Sequence, residues 1–316
     1  MSKSSESSTI LITGASGFIG GAVTERLLQD TQRKTQVREI RGLTSHPAKG
    51  RFGNQVRSFS YDFEQPRRMR EAFDGVDIFV NSYYVRFDHG GLTFEDAVER
   101  SRALVSLARA AEVRKIVHIS VTNASEQSNL RYYSNKARIE RLVRESGLDY
   151  SILRPALVAG PGDILINNIA YFLRRLPVFT IFGTGEYRVQ PILLDAFAET
   201  IVDAIEGSYR QETVAVAGPR DWTFISLVRA IRSAIGSHAA LTRAPAAASL
   251  ASLWLAGVFL RDVVLTSDEV KGLTREYLYE SQPVRVGADV ADWLAMPTTR
   301  ETLGRQYASE LARHFR

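Results

Sequence analysis

The chain has 316 residues, no cysteine, 40 basic against 35 acidic side chains and an apolar fraction of 45%. That length and apolar content suit one large α/β domain, alone or with a smaller appendage, and the lack of cysteine excludes disulfides, thiolate nucleophiles and cysteine-ligated zinc. The net charge of +5 is spread through expected helices such as 67–70 and 138–144, so it reads as solvated surface and not a nucleic-acid site, and the histidines at 46, 89, 118, 238 and 314 lack metal-ligand spacing, so no metal is expected.

Residues 1–8, "MSKSSESS", are polar and lack the apolar core of a signal peptide; they read as a frayed leader, and a cytoplasmic location is expected. "STILITGASGFIGGAVTERLLQ" follows as a buried strand, a glycine turn and an amphipathic helix. Further strands are expected in "REIRGLTS", "QVRSFSYDF", "VDIFVNSYY", "VRKIVHISV" and "LDYSILRPALV", separated by helices over 66–74, 93–112 and 134–146. Such alternation predicts an α/β fold, a doubly wound parallel sheet with helices on both faces. After "GPGD" the texture changes to a helix over 164–177, a short strand "VFTIFG", a helix over 194–206 and a strand "ETVAVAG". From "TFISLVRAIRSAIG" onward the chain reads as largely helical, closing on "TRETLGRQYASELARHFR" as a solvent-facing helix. Residues 9–160 with about 189–218 are expected to form the sheet domain, and about 161–188 with 219–316 a smaller, mostly helical C-terminal substrate lobe. The uncharged stretch 244–260 is shorter than the ~20 residues of a membrane span. It is expected to be a buried or groove-lining helix, with peripheral membrane contact as the other reading.

Thr13-Gly14-Ala15-Ser16-Gly17-Phe18-Ile19-Gly20 lies where the first strand hands over to a helix. Gly14 permits the tight turn, Gly17 lets backbone approach a pyrophosphate, and Gly20 allows close helix–strand packing; Ser16, Phe18 and Ile19 complete the loop. A dinucleotide is therefore the expected ligand. An acid after the second strand marks NAD, but here Thr44 and Ser45 occupy that place, with Arg41, Lys49 and Arg51 nearby. NADP is preferred, NAD the other option. Asp62 and Phe63 end the third strand, where they can meet the adenine amino group and ring.

Tyr132 and Lys136 are four apart on the expected helix "YYSNKARIERLVRESG" and so share a face. A free phenol loses its proton only near pH ~10, but an adjacent ammonium and a cationic nicotinamide favour the phenolate. Tyr132 can then donate a proton during carbonyl reduction and accept one during alcohol oxidation.

Together, TGxxGxxG at 13–20, "YDF" at 61–63, "VHIS" at 117–120, Tyr132-x-x-x-Lys136 and "ILRP" at 152–155 resemble the short-chain dehydrogenase/reductase superfamily over residues 9–235. The likeness is to its extended and atypical branches, near the NAD(P)H-binding group that includes NmrA-like proteins and an accessory subunit of respiratory complex I. It implies a Rossmann fold with the glycines under the pyrophosphate, and Asn81, Ser82 and Tyr83 beside the ribose. Ser120 and Pro155 would border the nicotinamide, Lys136 would hold its ribose, and Tyr132 would face the substrate. The implied activity is hydride transfer between nicotinamide and a small carbonyl or alcohol. The alternatives are a non-catalytic NAD(P)H-sensing regulator or assembly subunit, and a nucleotide-sugar epimerase or isomerase. A homodimer is implied by fold-level analogy alone.

One position departs from the family. A hydroxyl residue ordinarily follows the strand-ending serine and steadies the substrate oxygen, yet here the order is Ser120-Val121-Thr122. Thr122 swings in, Asn123 supplies the donor, or tyrosine holds the oxygen alone. On the substrate side, Tyr84 and Arg86 follow the fourth strand, and Tyr187 and Arg188 lie in the crossing segment. A small-molecule substrate would be lipophilic if 244–260 roofs the cleft, and anionic if Arg86 and Arg188 converge.

Overall fold

The computed structural model describes residues 7–29, 36–47, 51–245, 262, 265–309 and 311, which divide into two compact units, 1–155 with 195–215 and 156–194 with 216–316. In the first unit, β1 (Ser8–Thr13) begins at the last residue of the expected leader, and all six of its residues are buried. A strand covered on both faces has no reason to alternate in polarity. It is followed by α1 (Phe18–Gln29), β2 (Val37–Thr44), β3 (Arg57–Ser60) and a 3-10 turn (Pro66–Met69) that runs into α2 (Arg70–Phe73). Then come β4 (Ile78–Asn81), α3 (Phe94–Ala110), β5 (Lys115–Ile119), α4 (Arg131–Arg144) and β6 (Asp149–Pro155).

The strands lie in the order β3-β2-β1-β4-β5-β6, all parallel. This is the doubly wound arrangement, and its direction reverses between β1 and β4, the place where such sheets bind ligands at their carboxyl ends. Capping fixes the start of α3 beside that edge: the Thr93 hydroxyl accepts from the Asp96 N–H at 3.1 Å, and the Asp96 carboxylate accepts from the Thr93 N–H at 2.8 Å.

On one face of the sheet Leu11, Phe79, Ile116 and Ile152 pack with Met69, Phe73, Leu104, Leu107 and Val143. Side chains on a strand return to the same face every second residue. Two residues beyond Phe79 is Asn81; beyond Ile116 come His118 and Ser120; beyond Ile152 is Arg154. The core on this face therefore turns polar toward the carboxyl ends of β4, β5 and β6, beneath α3 and α4.

The second unit holds β7 (Leu157–Ala159), α5 (Leu165–Arg175), β8 (Val178–Phe182), β9 (Arg188–Val189) and β10 (Pro191–Leu193). From Leu194 the chain runs through α6 (Leu194–Ile205) and β11 (Glu212–Ala217), then β12 (Trp222–Thr223), α7 (Phe224–Ala234), β13 (Ala240–Ala244), α8 (Ser267–Thr274), β14 (Val284–Arg285), α9 (Val290–Ala295) and α10 (Pro297–Thr302). β11 and β14 extend the large sheet past β6 to eight strands, while β7–β10, β9–β12 and β8–β13 make two-stranded sheets. Ile166, Ile169 and Leu173 of α5, Phe224, Leu227, Val228 and Ile231 of α7, and Trp293 and Leu294 of α9 share one core.

Of the closing helix expected over 299–316, α10 covers the start and ends at Thr302, a turn follows, Leu311 is helical again, and residues 310 and 312–316 lie outside the described residues. Gly304 adopts φ +71°, and a Cβ there would sit 2.5 Å from the backbone of Ala170 and Tyr171, so close packing on α5 ends the helix. Of the apolar helix expected over 244–260, only Ala244 and Pro245 fall within the described residues, and Ala244 ends β13; residues 246–260, 310 and 312–316 lie outside them. Among the described residues no helix is long and apolar enough to cross a membrane.

Candidate active site

The glycine turn closes tightly at the switch point. Gly14 takes φ +63° and donates from N–H to the Leu43 carbonyl at 2.8 Å, and Gly17 N–H donates to the Gly14 carbonyl at 2.7 Å. A Cβ on Gly20 would lie 2.3 Å from that same carbonyl oxygen, so the first turn of α1 can approach β1 only without a side chain there. The first amides of a helix lack intrahelical acceptors, and Ser16 and Gly17 in front of them are exposed. This is a cradle suited to a diphosphate. Thr13 and Ser82 lock β1 to β4 beside it: Ser82 N–H donates to Thr13 Oγ1 at 2.7 Å and Ser82 Oγ to the Thr13 carbonyl at 2.6 Å.

After β2, Thr44 is half-buried and accepts at Oγ1 from His46 N–H, while the exposed Ser45 hydroxyl lies 3.0 Å from His46 Nδ1. Arg51 donates its backbone N–H to Ser16 Oγ at 3.3 Å, its guanidinium pairs with Glu25, and it overhangs Gly21. Arg41, expected to help with a ribose phosphate, does not: it is buried, bonded to Glu39 and to the carbonyls of Glu71, Ala72 and Asp74. Lys49 lies outside the described residues. Asp62 accepts from Gln65 N–H at 2.8 Å and from Arg68 at 3.3 Å. Phe63 stacks on Tyr61 at 5.0 Å, meets Tyr83 at 5.2 Å and lies under the Arg100 guanidinium, which also donates to the Tyr83 hydroxyl at 3.2 Å.

At the polar ends of β4, β5 and β6 the side chains come together beneath α4. Lys136 is almost wholly buried; its Nζ donates to the Ile119 carbonyl at 3.0 Å and stands 4.3 Å from the centre of the Tyr84 ring. Burial pushes its ammonium down to about 7, with Glu140 opposing the shift. Tyr84 donates from its hydroxyl to the Tyr132 carbonyl at 3.2 Å, and its ring meets the half-buried Tyr132 ring edge-on at 5.3 Å. Tyr84 thus bridges the two residues of the pair, and burial raises its own phenol far above the usual range.

Two residues without an assigned role in the sequence reading complete this cluster. Glu140, wholly buried, accepts from Ser120 Oγ at 2.6 Å, from Arg154 Nε at 2.7 Å and Nη2 at 2.6 Å, and from Arg144 at 2.6 Å. The Ser120 hydroxyl is therefore turned into the protein. Glu140 falls four residues after Lys136, a spacing visible in the sequence, and Arg154 is the arginine of "ILRP"; their pairing across the sheet is not visible there.

Asn81 and His118 are register partners on β4 and β5, both wholly buried. Asn81 Oδ1 accepts from Tyr83 N–H at 3.2 Å, but its Nδ2 has no hydrogen-bond partner among the described residues. His118 lies by the Asn81 backbone without a well-formed hydrogen bond at either ring nitrogen. Burial, with the Lys136 charge beside it, holds the imidazole down at about 3 against an ordinary 6.5, so it is neutral in the fold. The unfolded chain gains that proton first, so stability should fall as pH drops from 6.5 toward 3, by about 1.4 kcal/mol per pH unit. His118→Gln is expected to flatten this limb in urea unfolding measured across that range; equal slopes in parent and variant would contradict a neutral buried imidazole.

The slot questioned in the sequence is also resolved in part. Val121 and Thr122 are both buried, Thr122 completely, with its N–H donating to the Pro155 carbonyl at 3.1 Å. One of the three alternatives, a Thr122 hydroxyl that swings toward a substrate oxygen, therefore starts from a buried side chain. Asn123, left-handed at φ +59°, is partly exposed instead. Arg86 is partly exposed after β4. Tyr187 belongs to the core of the second unit, stacked on Phe224 at 5.4 Å, and Arg188 is bound to Glu276 by contacts down to 2.5 Å. Neither is free to meet a substrate as it stands. Among the described residues no cluster of histidines and carboxylates is arranged to hold a metal ion.

A doubly wound sheet with a glycine cradle at its switch point is the arrangement that binds a dinucleotide, and the helical tyrosine–lysine pair lies in the same unit. The family model described as NAD(P)H-binding matches residues 14–162. The photosystem II assembly factor Ycf39 of Cyanophora paradoxa is 23% identical over 243 residues, 76% of this chain and 72% of that protein. Subunit 9 of the mitochondrial NADH dehydrogenase (ubiquinone) 1 alpha subcomplex of Arabidopsis thaliana is 25% identical over 222 residues, 67% of this chain but only 54% of that one, so the chain spans about half of that relative. Among solved structures, the NADPH-dependent quinone oxidoreductase of Escherichia coli in complex with NADPH matches at a TM-score of 0.73 and 20% identity, over 90% of this chain and 98% of that one. The chain thus carries an NAD(P)H-binding domain over residues 14–162, shares the fold of the quinone oxidoreductase, and is similar in sequence to a subunit of mitochondrial NADH dehydrogenase.

Proposed function

We propose that the chain is an NADP(H)-dependent oxidoreductase that reduces a small carbonyl compound or oxidises the matching alcohol. The observation that carries this reading is the placement of Tyr132 and Lys136 on α4, over the carboxyl ends of strands in the unit that also holds the glycine cradle. In it, the first-turn amides of α1 and Ser16 hold the diphosphate, Phe63 and Asp62 border the adenine, Asn81, Ser82 and Tyr83 the ribose, and Pro155 the nicotinamide. The bound nicotinamide supplies or accepts the hydride at the substrate carbon.

The remaining steps belong to the chain. Tyr132 gives its phenolic proton to the carbonyl oxygen in reduction and takes it back in oxidation. Lys136 favours the resulting phenolate by charge. With the Tyr84 ring turned aside, its two other N–H groups can reach a ribose hydroxyl. Asn123, being partly exposed, is the better donor to the substrate oxygen. The cluster of the Tyr84, Phe94 and Tyr132 rings beside the pair suits a lipophilic substrate, in keeping with a structural neighbour that is a quinone oxidoreductase.

For the cofactor, Arg51 is, among the described residues, a cation of the segment after β2 that also meets the glycine turn, with Ser45 and His46 as neighbouring donors. Arg51→Ala is expected to weaken NADPH binding about tenfold while leaving NADH unchanged, since one charge-assisted contact to a phosphate is worth about 1.5 kcal/mol or more. Fluorescence titration with both nucleotides checks it; equal losses for the two would remove Arg51 from phosphate recognition.

A second reading, an NAD(P)H-binding assembly subunit without turnover, is favoured by the names of two relatives and by the cover of Tyr84 over Lys136. Turnover of a carbonyl substrate that depends on Tyr132 separates the two.

A further inference from the structure

We propose that Glu140 is a positioning residue for the Tyr132–Lys136 pair: its buried carboxylate bolts α4 to the ends of β5 and β6 and supplies the negative charge that keeps the Lys136 ammonium protonated. The use of the pair in catalysis rests on the function proposed above; the charge coupling itself does not.

Tyr132, Lys136, Glu140 and Arg144 follow one another at intervals of four, a single stripe along α4. Two members of that stripe grip successive residues of one strand end: Lys136 Nζ holds the Ile119 carbonyl, and Glu140 Oε1 holds the Ser120 hydroxyl. Arg154 of β6 meets the same carboxylate with two nitrogens, a planar match that fixes the helix rotationally as well as along its axis. A carboxylate removed from water persists only where its charge and lone pairs are matched. Here both oxygens are matched, and the helix cannot slide or turn without breaking several bonds at once. The register of Tyr132, two turns earlier, follows from this.

The charged and titratable groups around Lys136 make Glu140 the electrostatic partner. From β5 comes His118, neutral; from the segment after β4 come Tyr84, protonated, and Asp88; from α3 comes Glu95. Asp88 and Glu95 are both bound to Arg131 and lie in partly exposed positions. Arg144 and Arg154 add positive charge to the same neighbourhood. Of all these, only Glu140 brings a wholly buried negative charge, and it opposes the burial that drives the Lys136 proton off.

Glu140→Gln keeps the shape and removes the charge, leaving Arg144 and Arg154 uncompensated beside the ammonium. The test is the 13Cε shift of Lys136 against pH in the full chain carrying 13C-lysine. The protein has six lysines, so the signals are few, and the signal lost in Lys136→Met makes the assignment. In Glu140→Gln the midpoint is expected to fall by about one pH unit or more below the parent's. Ser120→Ala, which loses a hydrogen bond but no charge, should hold the parent midpoint. Arg144→Gln, at a partly exposed position that tolerates change, should raise it by a few tenths of a unit, and this variant decides the matter if Glu140→Gln does not fold. An unshifted midpoint in Glu140→Gln, an equal fall in Ser120→Ala, or no rise in Arg144→Gln overturns the proposal. NADPH binding by the parent is measured in parallel: its absence sinks the proposed function while the titration of Lys136 still reads.

Discussion

Tyr132→Phe is expected to bind NADPH with the parent's affinity and to lose turnover of a carbonyl substrate by about 10²–10⁴-fold, the range a positioned acid contributes. Loss of the hydroxyl should leave the ring where it is, because Tyr84, Phe94 and Tyr133 pack against it edge-on at 5.3, 6.2 and 5.2 Å. The helix beneath is anchored independently through Lys136 and Glu140. The variant therefore isolates proton transfer from fold and from nucleotide binding. Measured as NADPH oxidation with a substrate found by carbonyl screening, parent-like turnover in Tyr132→Phe would show that the phenol has no part in the chemistry. Unchanged binding with no turnover in the parent itself would favour the assembly-subunit reading.

The second large effect is expected at Gly20. A Cβ there meets the Gly14 carbonyl oxygen at 2.3 Å and the Gly14 carbonyl carbon at 2.8 Å, both backbone atoms that no side-chain rotation can clear. Gly20→Val forces α1 away from β1 and opens the turn in which Gly17 N–H bonds the Gly14 carbonyl. NADPH affinity should fall by about a hundredfold or more, equivalent to about 2.7 kcal/mol, within reach of the cost of overpacking a close contact. Gly17→Ala, whose Cβ would stand 3.0 Å from the same oxygen, should cost less. Isothermal titration beside thermal unfolding separates a lost cradle from a lost fold: equal affinity in Gly20→Val and parent would mean that the loop is not the diphosphate site.

What the sequence disclosed and what it hid follow a physical pattern. The glycine turn, β1 and the helical Tyr132–Lys136 pair are local, each set by residues within about two turns or one strand, and each could be read from spacing. That the sheet is parallel and doubly wound followed from the alternation of strands and helices. Contacts distant in sequence were another matter. Arg41 looked like a free cation after β2 and is instead buried against carbonyls of Glu71, Ala72 and Asp74, some 30 to 33 positions away. The closing segment has good helical composition, yet Gly304 is pressed onto α5 and α10 stops before it. Thr122 and Asn123 were equal candidates on paper; only the packing of the sheet end makes one wholly buried and the other partly exposed. Glu140 was the largest omission, since a glutamate on an expected helix reads as solvated surface until Ser120, Arg144 and Arg154 are seen to enclose it.

The central claim, that this chain binds a reduced nicotinamide dinucleotide at the switch point between β1 and β4, is tested most directly by titrating the parent protein with NADPH and with NADH and following nicotinamide fluorescence. Saturable binding below millimolar concentration, tighter for NADPH and abolished in Gly20→Val, is the predicted result. No saturable binding of either nucleotide at millimolar concentration would contradict it.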